Sequence, residues 1–170
     1  REAVTRAIDP LALSATQFKG AMEQAVTAFA PDDPNYSEQA AQSWPTYDPE
    51  RAKELIAEYR ASGGNPDFSL DAPNSPNRVN FATFMQAQLA AVGLQVEVKL
   101  SDLATASTVV KESGNYQLST RVSGPWDSPY PYMYNLFHTG GNVNYGRYSN
   151  PEMDRVLDEA VSTVDPAKRV

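Results

Sequence analysis

The chain has 170 residues, 41% of them hydrophobic and 21% charged, the composition of a single globular domain with a core of its own. Its 21 acidic residues outnumber 14 basic ones, for a formal net charge of -7, so nucleic-acid binding, which needs a basic face, is not expected. The absence of cysteine excludes disulfides, thiolate nucleophiles and cysteine metal sites, and no apolar run reaches bilayer-spanning length.

The first residues, REAVTRAID, contain neither methionine nor a signal-peptide pattern. The last, DPAKRV, read as the first turn of a helix cut short. The expectation is a piece of a longer protein, with any targeting signal outside it. Asp9-Pro10 opens the first predicted helix, with Leu11, Leu13 and Phe18 as its apolar residues. Aspartate accepts from free amides at a helix start, and proline suits the first helical position. Phe29 to Tyr47 predicts a long loop with one short helical turn. Asp48-Pro49 opens a clearer helix, with Ala52, Leu55, Ile56 and Tyr59 at helical spacing and Gly63-Gly64 to stop it.

Phe68-Ser69-Leu70 predicts a short strand leading into the turn-rich PNSPN. From Arg78 to Val92, the residues Phe81, Phe84, Met85, Leu89 and Val92 form one helical face, and Gly93 terminates it. Leu94, Val96, Val98 and Leu100 then alternate with polar residues, the pattern of a half-buried strand. A helix is predicted from Asp102 to Glu112 and a further strand from Tyr116 to Val122. Asn150-Pro151 opens another helix, with Met153, Val156, Leu157, Ala160 and Val161 on one face, and Asp165-Pro166 would open the next. Alternating helices and strands favour an α/β layered domain. There is no internal repeat.

Chemistry-bearing motifs are sparse. The single histidine, His138, reads as a partly exposed residue at the end of a short helix. Asp32-Asp33 and the pair Asp154 and Asp158 read as solvated charges. Phosphate-binding glycine loops and nucleophile motifs are missing. No enzyme, metal site or cofactor is expected.

The segment from Gly114 to Tyr148 is different. It holds six of the nine tyrosines and one of the two tryptophans, and its only charges are Arg121, Asp127 and Arg147. Within it, GPWDSPYPYMY carries three prolines, which predict an irregular, stiff surface loop. Apolar walls with a few placed polar groups suit a small-ligand site. Trp126 and Tyr130 are the candidate walls. Asp127 is a candidate acceptor for a ligand cation, and Arg121 a candidate partner for a ligand carboxylate. Tyr132, Tyr134, Tyr145 and Tyr148 read as rings packed under the loop.

Four stretches, in order and spacing, resemble the family 5 extracellular solute-binding proteins, the receptors of peptide, nickel and related ABC importers. REAVTRAIDPLAL looks like the segment that opens the family's second lobe. YDPERAKELIAEYRASGG resembles its YDP-x-x-A-x-x-L helix, and FATFMQAQLAAVGLQVEVKL its helix, glycine and strand. NYGRYSNPEMDRVLDEAVSTVDPAKR is similar to its Y-x-N-P-x-x-D-x-L segment. The resemblance implies an α/β fold, a type II periplasmic-binding-protein-like lobe with layered helices around a mixed sheet.

Residues 1–170 would be one domain, most of the second, C-terminal lobe of a two-lobe receptor, with the first lobe and the C-terminal return absent. The implied function is binding of oligopeptides in the interlobe cleft by hinge closure. The alternatives are a receptor for a nickel chelate, opine or sugar, and a ligand-sensing domain of a signalling protein. Implied partners are the small-molecule or peptide ligand, the first lobe and the transporter's permease subunits. The implied location is periplasmic or extracellular, with the full-length protein held to the membrane by an N-terminal lipoprotein anchor.

In this family the loop corresponding to Trp126–Tyr130 lines the cleft. Peptide-binding members often show W-x-x-D-Y-x-D-P there, and its acidic residue holds the peptide's amino terminus. Here Asp127 stands at a shifted position. The W-x-x-P-Y spacing looks closer to nickel-binding members, whose Trp and Tyr contact a metal chelate.

Overall fold

A computed structural model describes residues 1–120 and 129–165, apart from the side chains of residues 129 and 130. Its elements run α1 (Glu2–Ala7), α2 (Pro10–Phe18), α3 (Glu38–Ser43), α4 (Pro49–Ala61), β1 (Phe68–Pro73), α5 (Pro76–Ala91), β2 (Val96–Ser101), α6 (Leu103–Thr108), β3 (Leu118–Ser119), α7 (Tyr134–Phe137) and α8 (Pro151–Ser162). Wide π-type turns at Val109–Ser113 and Pro129–Met133 extend α6 and precede α7.

The helix starts are built by local chemistry. The Asp9 carboxylate accepts from the amides of Leu11 at 2.9 Å and Ala12 at 3.1 Å. Asp48 accepts from the Arg51 amide at 2.9 Å, and Asn150 from Glu152 at 2.9 Å and Met153 at 3.3 Å. In each case proline follows at the first helical position, where its missing N–H is not needed. Helix α5 begins two residues earlier than predicted, because Pro76 takes this same position. Gly93, at φ +88°, turns the chain out of α5 in a conformation open to glycine.

The strands form one sheet in the order β2-β1-β3. β1 pairs in parallel with β2 from Phe68↔Val96 to Pro73↔Ser101, and in parallel with β3 at Leu70↔Leu118 and Asp71↔Ser119. The expected mixed sheet is corrected here: among the described strands every pairing is parallel. The reason lies in the connections. Helix α5 carries the chain back between β1 and β2, and α6 with its wide turn does so between β2 and β3, so each strand starts at the same edge. The predicted strand from Tyr116 narrows to Leu118–Ser119; Arg121 and Val122 lie outside the described residues.

Leu70 and Ala72 of β1 meet Ala82, Leu89 and Val92 of the α5 region, with Leu94 and Val96 beside them. Ala52 and Ile56 of α4, and Ala7 of α1, complete the core, and α1 lies against α4. Helix α1 was not anticipated. It is short and has a single fully buried residue, so its place depends on α4 rather than on its own pattern.

The proline-rich stretch is also corrected where it is described. Pro129–Met133 is a helical turn rather than an irregular loop, and it runs directly into α7. Pro129 and Pro131 are the first and third residues of this described turn.

Candidate functional site

In an open parallel sheet, ligands collect outside the carboxyl ends of the strands, where the strand order reverses. Here β1 is the central strand, and the chain leaves it for β2 on one side and returns as β3 on the other. The Asn74 amide donates to the Ser101 carbonyl at 2.7 Å and the Thr120 amide to the Asp71 carbonyl at 3.2 Å. These bonds fix the upper rim. A pocket of about 370 Å³ opens there. Leu103, Ala106 and Val110 form its apolar floor, and Ser75, Arg78, Lys111, Ser119, Thr120 and Tyr145 its polar wall. A larger crevice of about 950 Å³ shares Ser75, Arg78, Ser119 and Thr120 and runs along α5 past Phe81 and Met85 to Gln17 and Phe18 of α2.

Each wall residue is held by its element. Ser75 precedes α5, yet its hydroxyl makes no capping bond, and the Arg78 amide donates to the Ser75 carbonyl at 2.9 Å. Arg78 is half-buried in the first turn of α5. Lys111 sits on the wide turn that ends α6 and is exposed. The Thr120 hydroxyl is buried and has no hydrogen-bond partner among the described residues. Tyr145 belongs to a turn that the Tyr116 hydroxyl ties down by donating to its carbonyl at 2.8 Å.

Asp102, at the start of α6, accepts from the amides of Ala104 and Thr105 at 3.0 Å each and from the Thr105 hydroxyl at 2.6 Å. These bonds, that from the Thr105 hydroxyl first, hold its carboxyl below the usual carboxylate range.

A second, mostly apolar cavity of about 300 Å³ lies between α2 and the loop before α4, lined by Ile8, Leu13, Phe18, Met22, Trp44 and Tyr47. Among the described residues its wall holds a single charged one, Glu23, so it offers shape but little to fix a polar ligand.

Of the residues singled out from sequence, Arg121, Trp126 and Asp127 lie outside the described residues, as does the side chain of Tyr130. His138 closes α7 and is half-buried, as expected. Its ring stacks on Tyr134 with centroids 4.5 Å apart, and its Nε2 lies 3.5 Å from an Asp158 oxygen. Its Nδ1 lies 2.8 Å from the Thr139 carbonyl oxygen.

Asp154 and Asp158 are not merely solvated. Asp154 accepts from the Thr139 amide at 2.7 Å, and Asp158 accepts from the Tyr134 hydroxyl at 3.0 Å. Bonds from the Thr139 side chain and amide hold the Asp154 carboxyl below its ordinary range. Tyr132, Tyr134 and Tyr145 are half-buried, as expected of packed rings, whereas Tyr148 stays exposed with its ring edge-on to Phe137 at 6.3 Å. No group of three His, Cys, Asp or Glu side chains suited to a metal occurs among the described residues. Arg78 and Lys111 were not anticipated, since no local pattern marks either one.

A family model described as bacterial extracellular solute-binding proteins, family 5, middle, matches residues 1–144. The chain belongs to this family. Glutathione-binding protein GsiB of Escherichia coli O1:K1 / APEC is 30% identical over 180 residues, covering 99% of this chain and 34% of that protein. Heme-binding protein A of Haemophilus influenzae is 28% identical over 178 residues, covering 99% of this chain and 32% of that protein. The family 5 chain therefore spans about a third of the length of the curated relatives it matches.

Among solved structures, the oligopeptide-binding protein AppA of Bacillus subtilis, in complex with a nonapeptide, superposes with a TM-score of 0.82 at 21% identity, covering 99% of this chain and 36% of that one. The likeness carries the fold, an α/β lobe of type II periplasmic-binding-protein architecture. These relatives are named as binding proteins, not enzymes. No helix among the described residues is long and apolar enough to cross a membrane.

Proposed function

We propose that residues 1–170 form most of the second, C-terminal lobe of a two-lobe receptor that binds oligopeptides and delivers them to an ABC importer. The match of the family model to residues 1–144 carries this reading. The crevice at the carboxyl ends of the sheet supports it by supplying a concave, part-apolar face for a ligand. The ligand lies between this face and the first lobe. Contacts from both lobes stabilise the closed state over the open one, and that difference drives hinge closure.

Trp126 and Tyr130 wall the ligand, Asp127 accepts from its ammonium group, and Arg121 pairs with a carboxylate. In sequence these residues follow Thr120, which lines the crevice. The receptor works outside the cytoplasmic membrane, held there by a lipid anchor on its N-terminal part, and hands its ligand to permease subunits.

The test uses the full-length protein, purified from its host and denatured, with the released molecules identified by mass spectrometry. A ladder of short peptides is the expected result. A single chelate, opine or sugar would overturn the peptide assignment and leave the receptor standing.

A further inference from the structure

The chain has one histidine and no cysteine, so His138 is the side chain whose ordinary chemistry puts a change of charge between about pH 5 and 8. It stands at the corner where α7 meets α8, and both of its ring nitrogens face oxygens. Nδ1 lies 2.8 Å from the Thr139 carbonyl, and Nε2 lies 3.5 Å from an Asp158 carboxylate oxygen. Neither a carbonyl nor an ionised carboxylate can donate. A neutral imidazole has one N–H and serves one of the two oxygens; an imidazolium has two and serves both.

The helix across the corner is strongly acidic. α8 carries Glu152, Asp154, Asp158 and Glu159 against one cation, Arg155. Arg155 is engaged by Glu152 at 2.8 Å and Glu159 at 2.9 Å. Asp154 and Asp158, one helical turn apart, both turn toward α7, where Asp154 takes the Thr139 amide and Asp158 the Tyr134 hydroxyl. Like charges at this spacing destabilise a helix, and a positive charge between them offsets the repulsion. The Asp154 carboxyl, held low first by its bonds from Thr139, also feels the charge of His138.

The other described groups on the ring are neutral in this pH range. The Tyr134 ring stacks on it at 4.5 Å, and its hydroxyl donates at 3.0 Å to the same Asp158 oxygen that Nε2 faces. The Asn144 side chain donates to the His138 carbonyl at 3.0 Å. The Arg147 guanidinium donates instead to the Ser113 carbonyl at 3.3 Å.

We propose that His138 is a proton-operated latch between α7 and α8. With a proton on each ring nitrogen it donates to Thr139 and Asp158 at once and fastens α8 to α7. Without the second proton one of the two bonds is lost. An imidazole ordinarily gives up its charge near about pH 6.5, so the latch holds on mild acidification and releases as pH rises. It also fails below about pH 4, where carboxylates ordinarily take up protons.

The test is hydrogen exchange read by mass spectrometry on the full-length protein, following residues 151–163 at about pH 5.5 and about pH 7.5. Protection is expressed relative to intrinsic exchange, which removes the pH dependence of the chemistry itself. α8 should be about two- to fivefold better protected at the lower pH, as for an ion pair with one exposed partner. His138→Phe keeps a ring on Tyr134 but has neither N–H, and the pH difference should vanish. Asp158→Asn keeps an acceptor for the Tyr134 hydroxyl without the charge, and the difference should shrink.

Equal protection of the parent at both pH values overturns the latch, as does a difference that survives in His138→Phe. A loss in His138→Phe that is the same at both pH values also overturns it, since such a loss marks packing alone and leaves the parent's pH difference in place. If His138→Phe does not fold, Asp158→Asn decides: a smaller pH difference than in the parent supports the latch, and an unchanged one overturns it.

Discussion

Leu89 of α5 and Leu11 of α2 invite the same substitution with opposite outcomes. Leu89 is 0% exposed and lies in the cluster with Ile56, Leu70, Val92, Leu94 and Val96. Leu11 is 72% exposed. Leucine to alanine deletes three carbons, worth about 2.4 kcal/mol at roughly 0.8 kcal/mol per buried methylene. The cavity left at Leu89 adds to this, for a total of about 3–4 kcal/mol. At Leu11 the change should stay within about 0.5 kcal/mol, as for an ordinary surface substitution.

Urea unfolding of this chain followed by circular dichroism measures both. With a slope of about 2 kcal/mol per molar, Leu89→Ala should lower the midpoint by about 1.5–2 M, whereas Leu11→Ala should shift it by no more than about 0.25 M. A loss below about 1 kcal/mol at Leu89 would refute the packing of α5 on the sheet. Equal losses at the two sites would refute the assignment of Leu11 to an open surface.

Two further outcomes are expected. Trp126→Ala in the full-length receptor should weaken ligand binding by about 1–3 kcal/mol, as for an aromatic anchor, and unchanged affinity in a folded protein would remove Trp126 from the site. Asp102→Ala should destabilise the chain in a pH-dependent way. The folded carboxyl titrates below its unfolded value, so its contribution is present above about pH 4 and fades as pH falls through the lower folded value. Urea midpoints of parent and variant should therefore converge on acidification; a gap that stays constant or widens below about pH 4 would show that the cap does not titrate as described.

What was legible in the sequence was local. An Asp or Asn before proline reaches amides two or three residues ahead, so α2, α4 and α8 announced their starts. Gly93 announced the end of α5 because a left-handed turn favours glycine. Periodicity also identified the buried side of α5 and of β2 as far as Val98, whereas Leu100 is exposed, and it names a face and not a partner. The apolar stripe on α8 shares one helical face, yet Val156 and Val161 are exposed and none of its residues is fully buried among the described residues.

The parallel register and the site needed information from far along the chain. Arg78 and Lys111 come together because β3 returns to pair with β1 after β2 has paired on its other side. No spacing rule encodes that meeting. Helix α1 escaped notice for the same reason, since its one buried residue, Ala7, depends on distant neighbours.

Among the described residues, helix α8 is moored by acceptors rather than sealed by a buried apolar seam. Asp154 holds the Thr139 amide and Asp158 the Tyr134 hydroxyl, while every apolar side chain of the helix keeps some contact with solvent. Water can replace such bonds one at a time at small net cost. Undoing α4 or α5 instead exposes a shared core all at once. Among the described residues, the centre of the sheet is held by one shared core, and α8 is fastened at the margin by hydrogen bonds from Thr139 and Tyr134.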